Sequence, residues 1–309
     1  VGKRAFLFPG QGSQFVGMGK DLYEQYPQAR KLYERANDIL GFDIAGLCFT
    51  GPQEELNQTV NTQPAIFIHS YIVFDLLRSR TIKPDVTAGH SLGEFTALTA
   101  AGSLNFEQGL TLVKQRGQLM QQASNVQKGT MAAIIGLEFP VIEAICREAG
   151  QEGVVNIANY NSPEQVVISG VVNAVQKAMA LATERGAKRA IELKVTGAFH
   201  SKLMEPALIG FTRELQNTGF KKPETEFFTN VTAGRVNEPE EIKTLLARQL
   251  SSPVLWTQTI QGMVNDQVTH FYETGPGSVL TGLLRKTDRN IDVTTIGTVQ
   301  QLTSVEEVN

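Results

Sequence analysis

The chain has 309 residues, a formal net charge of −3, 41% hydrophobic residues and 19% charged residues, the make-up of an ordinary globular protein. No basic excess points to nucleic acid, and no run of like charge points to a disordered tail. Cys48 and Cys146 are too few and too far apart for a disulfide framework or a zinc site, which points to a reducing compartment. The apolar run at residues 5–8 reads as a buried strand, with no basic head or apolar signal region before it. Ala29, Leu32, Tyr33, Ala36, Ile39 and Leu40 follow helical spacing, and Gly41 suits the left-handed cap that ends such a helix. Pro64 marks an expected helix start, and residues 65–77 are apolar nearly all round, as in a buried helix. That run carries His69, Ser70 and Asp75 and is too short and polar to cross a bilayer, so no membrane association and a cytoplasmic location are expected.

Residues 85–89 form a short strand that leads into His90-Ser91-Leu92-Gly93 and an alanine-rich helix from Glu94. Between residues 130 and 195 the pattern changes. Strands at 131–137, 154–160, 166–169 and 190–195 alternate with helices at 141–149 and 174–184, and Asn161-Ser162-Pro163 is the expected turn. That β-α-β-β-α-β order is the ferredoxin-like split motif, able to bury its own core. The expected architecture is therefore α/β: a core with a mainly parallel sheet over residues 1–128 and 197–309, and an inserted ferredoxin-like subdomain over 129–196. A strand at 268–273 and a final helix after Gly275-Pro276-Gly277 complete the prediction.

Gly89-His90-Ser91-Leu92-Gly93 matches the nucleophile elbow, Gly-x-Ser-x-Gly, between a predicted strand and a predicted helix. The chemistry needs a serine on a tight turn, with its hydroxyl exposed at the sheet edge and a helix aiming N–H groups at developing negative charge. An ordinary strand–turn–helix corner is the plain alternative. Phe8-Pro9-Gly10-Gln11-Gly12-Ser13-Gln14 lacks the lysine and glycine spacing of a phosphate cradle. In elbow enzymes an early loop supplies one oxyanion donor and the residue after the nucleophile the other, so Gln11 and Leu92 are the candidates. A simple turn explains the glycines equally well.

A serine nucleophile needs a base, and the chain has four histidines. His69 falls in a buried helix, His90 precedes the nucleophile and should point away from it, and His270 alternates within a strand. His200 follows the serine in sequence, in a small-residue loop, and leads by elimination. No aspartate or glutamate stands out as a third member: Glu192 falls in the insert and Glu205 on the helix after His200. A dyad is expected, with the imidazole N–H held by a backbone carbonyl or amide oxygen. Arg116 lies on a largely apolar helix, where the residues alone favour an arginine at the solvent edge over one binding a carboxylate.

Taken together these residues resemble the malonyl-CoA:acyl carrier protein transacylases of bacterial fatty acid synthesis. The resemblance is carried by Phe8-Pro9-Gly10-Gln11-Gly12-Ser13-Gln14, Thr62-Gln63-Pro64-Ala65, Gly89-His90-Ser91-Leu92-Gly93-Glu94, Gln115-Arg116-Gly117, Asn161-Ser162-Pro163, Phe199-His200-Ser201 and Glu273-Thr274-Gly275-Pro276-Gly277. It implies a hydrolase-like core, Ser91 as nucleophile, His200 as base, and the backbone N–H groups of Gln11 and Leu92 as oxyanion hole. It implies that Arg116 binds the malonyl carboxylate, reversing the reading from the residues alone. Gln249 matches the position whose main-chain carbonyl orients the histidine, and Gln63 a loop that lines the site. Phe199, just before the histidine, goes with malonyl rather than methylmalonyl in related modular synthases. The implied partners are malonyl-CoA and acyl carrier protein, with no metal or redox cofactor needed; separately from the resemblance, no nucleic-acid partner and a monomeric state are expected. The carrier is expected to be acidic, with Lys188, Arg189, Arg285 and Lys286 as candidate contacts. A serine thioesterase using the same elbow, or a non-catalytic docking domain, are the competing readings.

Overall fold

The computed structural model describes residues 2–195 and 197–305. Five strands form a fully parallel sheet: β1 (Lys3–Phe8), β2 (Val86–Gly89), β7 (Glu226–Phe228), β8 (Val268–Thr274) and β9 (Asp292–Ile296), in the order β7-β2-β1-β8-β9. Residues 5–8 of β1 and all of β2 are buried, as expected of central strands covered on both faces. Their register, Phe8 opposite Gly89, brings the Pro9–Gly10 turn and the His90–Ser91 turn to the same edge of the sheet. One face carries the larger apolar core, with Phe6, Phe8, Phe67 and Phe95. The other packs Ala5, Leu7, Val86 and Ala88 against Trp256, Ile260 and Leu284.

Four further strands form an antiparallel sheet: β3 (Thr130–Ile135), β4 (Val155–Ser162), β5 (Gln165–Gly170) and β6 (Arg189–Glu192), in the order β4-β5-β3-β6. The helices Phe139–Ala149 and Val172–Glu184 pack on it through a separate core of Ile134, Ile142, Ile168 and Val175. This is the inserted ferredoxin-like subdomain. Thr196, the last residue of the expected insert, lies outside the described residues, as do Val1 and residues 306–309 of the expected core. The insert is tied to the core beside the turn that carries Ser91: Tyr160 N–H donates to the Val254 carbonyl at 2.9 Å, and Val254 N–H to the Ala158 carbonyl at 2.8 Å.

Several expectations need correction. Pro64 is not a helix start but an interior residue of the Thr59–Ser79 helix, so Gln63 is helical rather than in a loop. A proline there removes one backbone donor, and the near-complete burial of the apolar residues after it outweighs that loss. The β4–β5 hairpin turns at Pro163 and Glu164, while Asn161 and Ser162 belong to β4. The last strand of the insert ends at Glu192, three residues before the expected end at Val195. The helix Val279–Thr287 is followed by β9 and the Val299–Thr303 helix, and the core also holds β7. None of these three was expected. Val268, opposite Lys3, opens β8 in parallel register with β1. Among the described residues no helix is long and apolar enough to cross a membrane.

Candidate active site

The elbow is built by contacts too close for side chains. A Cβ on Gly89 would stand 1.9 Å from the Gly93 carbonyl group, and one on Gly93 would stand 2.0 Å from the Phe8 carbonyl oxygen. Those contacts press the helix Gly93–Ala100 onto the end of β1 and force Ser91 into left-handed backbone at φ 52. Asn230, in the loop after β7, clamps the turn: its Oδ1 accepts from Ser91 N–H at 2.7 Å and its Nδ2 donates to the Gly89 carbonyl at 2.7 Å.

Ser91 Oγ and His200 Nε2 are 2.8 Å apart, and His200 Nδ1 is 2.8 Å from the Gln249 main-chain oxygen. A carbonyl oxygen only accepts, so Nδ1 carries the proton and Nε2 is left to accept from the serine hydroxyl. His200 is itself at φ 56, held by its N–H on the Leu250 carbonyl at 3.1 Å and by Asn156 Nδ2 on its own carbonyl at 2.9 Å. Burial pushes the His200 imidazole down to about 3, and the Arg116 guanidinium adds to the effect. The ring is therefore a neutral acceptor across the neutral range. We expect kcat/KM for acylation of Ser91 not to fall as the pH drops from about 8 to about 6. An acidic limb at the ordinary histidine value in a pH–rate profile would contradict this placement.

Arg116 is not at the solvent edge. It is 1% exposed, on the Phe106–Val126 helix. Its Nη1 donates to Gln63 Oε1 at 2.9 Å, and its Nη2 to Gln249 Oε1 at 2.8 Å and Ser91 Oγ at 3.2 Å. Its guanidinium carbon stands 5.6 Å from the Phe95 ring centroid. Burial lowers its pKa to about 10, which leaves it cationic at neutral pH. A cavity of about 300 Å³ opens over this group, lined by Gln11, Gln63, Ser91, Leu92, Arg116, Phe199 and His200 among others. Leu92 stands at the N-terminus of the Gly93–Ala100 helix, and the Gly10–Gln11 turn is pressed against the elbow, since a Cβ on Gly10 would stand 2.4 Å from the His90 carbonyl oxygen.

The other histidines are placed elsewhere. His69 Nε2 bonds the Gly297 carbonyl at 2.9 Å deep in the core, and His270 is exposed beside Asp292. His90 turns from the serine to Asn161, with Nε2 2.8 Å from Oδ1, although its ring still lines the cavity. Glu192 accepts from Thr130 Oγ1 at 3.0 Å on β6, and Glu205 is exposed. Sequence reasoning missed Asn230, Asn156, Asn161 and the roles of the Gln249 and Glu94 side chains. Glu94 and Asn161 carried a signal as letters of longer motifs, and Gln249 one for its main-chain carbonyl alone. Among the described residues no three His, Cys, Asp or Glu side chains gather as a metal site would require.

A serine on a strained strand-to-helix turn, a neutral imidazole on its hydroxyl and a buried cation beside it define an enzyme of acyl transfer, and the acyl transferase domain family model matches residues 5–305. The malonyl CoA-acyl carrier protein transacylase of Bacillus subtilis is 44% identical over 292 residues, 94% of this chain and 92% of that one. The crystal structure of an acyl carrier protein S-malonyltransferase from Vibrio cholerae superposes with a TM-score of 0.95 at 43% identity, covering 98% of this chain and 100% of the other. A type II PKS acyl-carrier protein in complex with its malonyl-transacylase offers a further match, at TM-score 0.96 and 38% identity, covering 99% and 100% of the two chains. The chain belongs to the malonyl-CoA:acyl carrier protein transacylase family.

Proposed function

We propose that this chain transfers a malonyl group from coenzyme A to the phosphopantetheine thiol of acyl carrier protein through an ester on Ser91. The observation that carries the reading is the position of Arg116: a buried cation 3.2 Å from the nucleophilic oxygen, able to hold a carboxylate next to the reacting carbonyl. Malonyl-CoA enters with its free carboxylate on Arg116. Ser91 Oγ attacks the thioester carbon as its proton passes to His200 Nε2, and the Gln11 and Leu92 N–H groups stabilise the oxyanion. The C–S bond breaks, and the proton on His200 goes to the departing thiolate. The carrier's thiol then gives its proton to His200 and attacks the ester, which restores Ser91. The cycle as written draws only on side chains, backbone amides and the two thiols.

Phe199 is buried and lines the acyl cavity, where it would crowd a branched α-carbon. Phe199→Ser is expected to raise kcat/KM for methylmalonyl-CoA relative to malonyl-CoA about tenfold, measured by competition between the two thioesters. An unchanged ratio would remove Phe199 from the selectivity. Lys188 and Arg189 lie on or beside β6 and Arg285 and Lys286 close the Val279–Thr287 helix, all exposed, with Lys286 reaching at 3.1 Å the Oε1 of Gln165, a residue that lines the cavity. Local attraction for an acidic carrier is assigned to these four, since the net charge of the chain is itself negative. The cytoplasmic location and the monomeric state belong to the same proposal. Cys48 and Cys146, both free and buried, agree with a reducing compartment.

The deciding experiment is intact mass after exposure to malonyl-CoA. A malonyl increment on Ser91 that acyl carrier protein discharges supports transfer. Free malonate forming equally fast with and without the carrier would make the chain a hydrolase, and no increment at all would make it a docking domain.

A further inference from the structure

Glu94 is a buried carboxylate, 1% exposed, in the first turn of the Gly93–Ala100 helix, and the acyl-transfer cycle above does not use it. Its Oε2 accepts from Gln249 Nε2 at 2.6 Å, and the Asn230 N–H and the Thr229 hydroxyl also hold the carboxyl. The same Gln249 amide donates from Nε2 to the Ser91 carbonyl at 2.9 Å and accepts at Oε1 from Arg116 Nη2 at 2.8 Å. The main-chain oxygen of Gln249 is the atom on His200 Nδ1. One glutamine therefore joins the nucleophile, the histidine and the buried cation, and among the described residues Glu94 is the only charged group bonded to its side chain besides Arg116.

We propose that Glu94 is a positioning residue that acts through Gln249: it sets the direction of that amide and balances the Arg116 charge while the acyl cavity is empty. This deepens the malonyl reading and rests on Arg116 holding the substrate carboxylate. A carboxylate only accepts, so the Gln249 NH₂ faces Glu94 and its oxygen faces the guanidinium; a flipped amide would set NH₂ against guanidinium. The direct partners of Arg116 are three neutral oxygens, from Gln63, Gln249 and Ser91. A buried cation held only by neutral groups is costly, and a carboxylate one amide away lowers that cost. An arriving malonyl carboxylate takes over as the nearest counter-charge, so Glu94 and substrate share one cation. An acetyl group brings no charge and leaves the balance with Glu94.

Burial raises the Glu94 carboxyl to about 7, against the opposing pull of its hydrogen bonds and of Arg116. It is mostly ionised at about pH 8 and mostly neutral at about pH 6. The groups that face it from the neighbouring elements are Gln249, Thr229 and Asn230, which are uncharged, and Arg116, with His200 joined to the network through Gln249.

The test compares Glu94→Gln and Glu94→Ala with the unaltered chain, on malonyl-CoA and acetyl-CoA with acyl carrier protein as acceptor. At about pH 8, Glu94→Gln is expected to lower KM for malonyl-CoA about fivefold and to hold KM for acetyl-CoA within about twofold. At about pH 6 the malonyl difference should close, because the carboxyl of the unaltered chain is then neutral too. Glu94→Ala, which also loses the acceptor, is expected to lower kcat about tenfold for both acyl groups, with Glu94→Gln recovering most of it. Equal KM shifts for the two acyl groups, a malonyl difference that persists at about pH 6, or full kcat in Glu94→Ala would overturn the proposal. If the alanine variant does not fold, the glutamine variant alone decides. Intact mass of the unaltered chain runs alongside. No malonyl ester on Ser91 overturns the malonyl reading itself, whereas an ester together with failed Glu94 arms overturns only the role of Glu94.

Discussion

Ser91→Ala is expected to fold normally and to take up no malonyl mass, with transfer to carrier protein reduced roughly 10³-fold or more. Removing one hydroxyl from the lining of a cavity of about 300 Å³ leaves Asn230 on the backbone of the elbow, so the turn keeps its clamp. His200→Ala is expected to fall by a similar factor, and the double variant by little more than either single one, because the two residues act as a unit across 2.8 Å. Intact mass and initial rates measure both effects. A Ser91→Ala chain that still acquires a malonyl group would sink the covalent route.

Arg116→Ala is expected to discriminate between substrates. Losing a buried charge partner costs about 2–4 kcal/mol, or roughly 30- to 1000-fold in kcat/KM for malonyl-CoA. Acetyl transfer lacks the carboxylate and should lose far less, so the malonyl-to-acetyl preference collapses. The guanidinium also holds the His200 pKa down, after burial, so the variant should move the acidic limb of the kcat/KM profile upward. Equal losses for both acyl groups, with no movement of the limb, would assign Arg116 to scaffolding alone. Lysine at this position is not expected to rescue fully, because one ammonium nitrogen replaces the planar fork whose Nη1 meets Gln63 and whose Nη2 meets Gln249 and Ser91.

What could be read from the chain was whatever local chemistry enforces. Gly89 and Gly93 flank Ser91 because a Cβ at either would overlap backbone, and that constraint prints itself as a five-residue pattern. The insert was legible because its strands and helices alternate within one continuous stretch and bury a core of their own. Pro64 misled because a local rule for helix starts yielded to the burial of a whole apolar helix. β9 and β7 escaped notice because one alternates at a sheet edge and the other is three residues long, too little for a periodic signal.

The amino-acid order thus carried the class of fold and pointed to Ser91 as the nucleophile candidate and, by elimination among four histidines, to His200 as its candidate base. Folding alone decided how the chemistry is wired. Gln249, Asn230 and Glu94 belong to three separate segments: parallel β2 and β7 end at one edge of the sheet and bring Glu94 and Asn230 together, and the end of the Pro239–Gln249 helix carries Gln249 to them. The same convergence turned Arg116 from a plausible surface residue into a buried cation on the serine hydroxyl, since desolvation and long-range hydrogen bonds depend on neighbours that no local window of sequence contains.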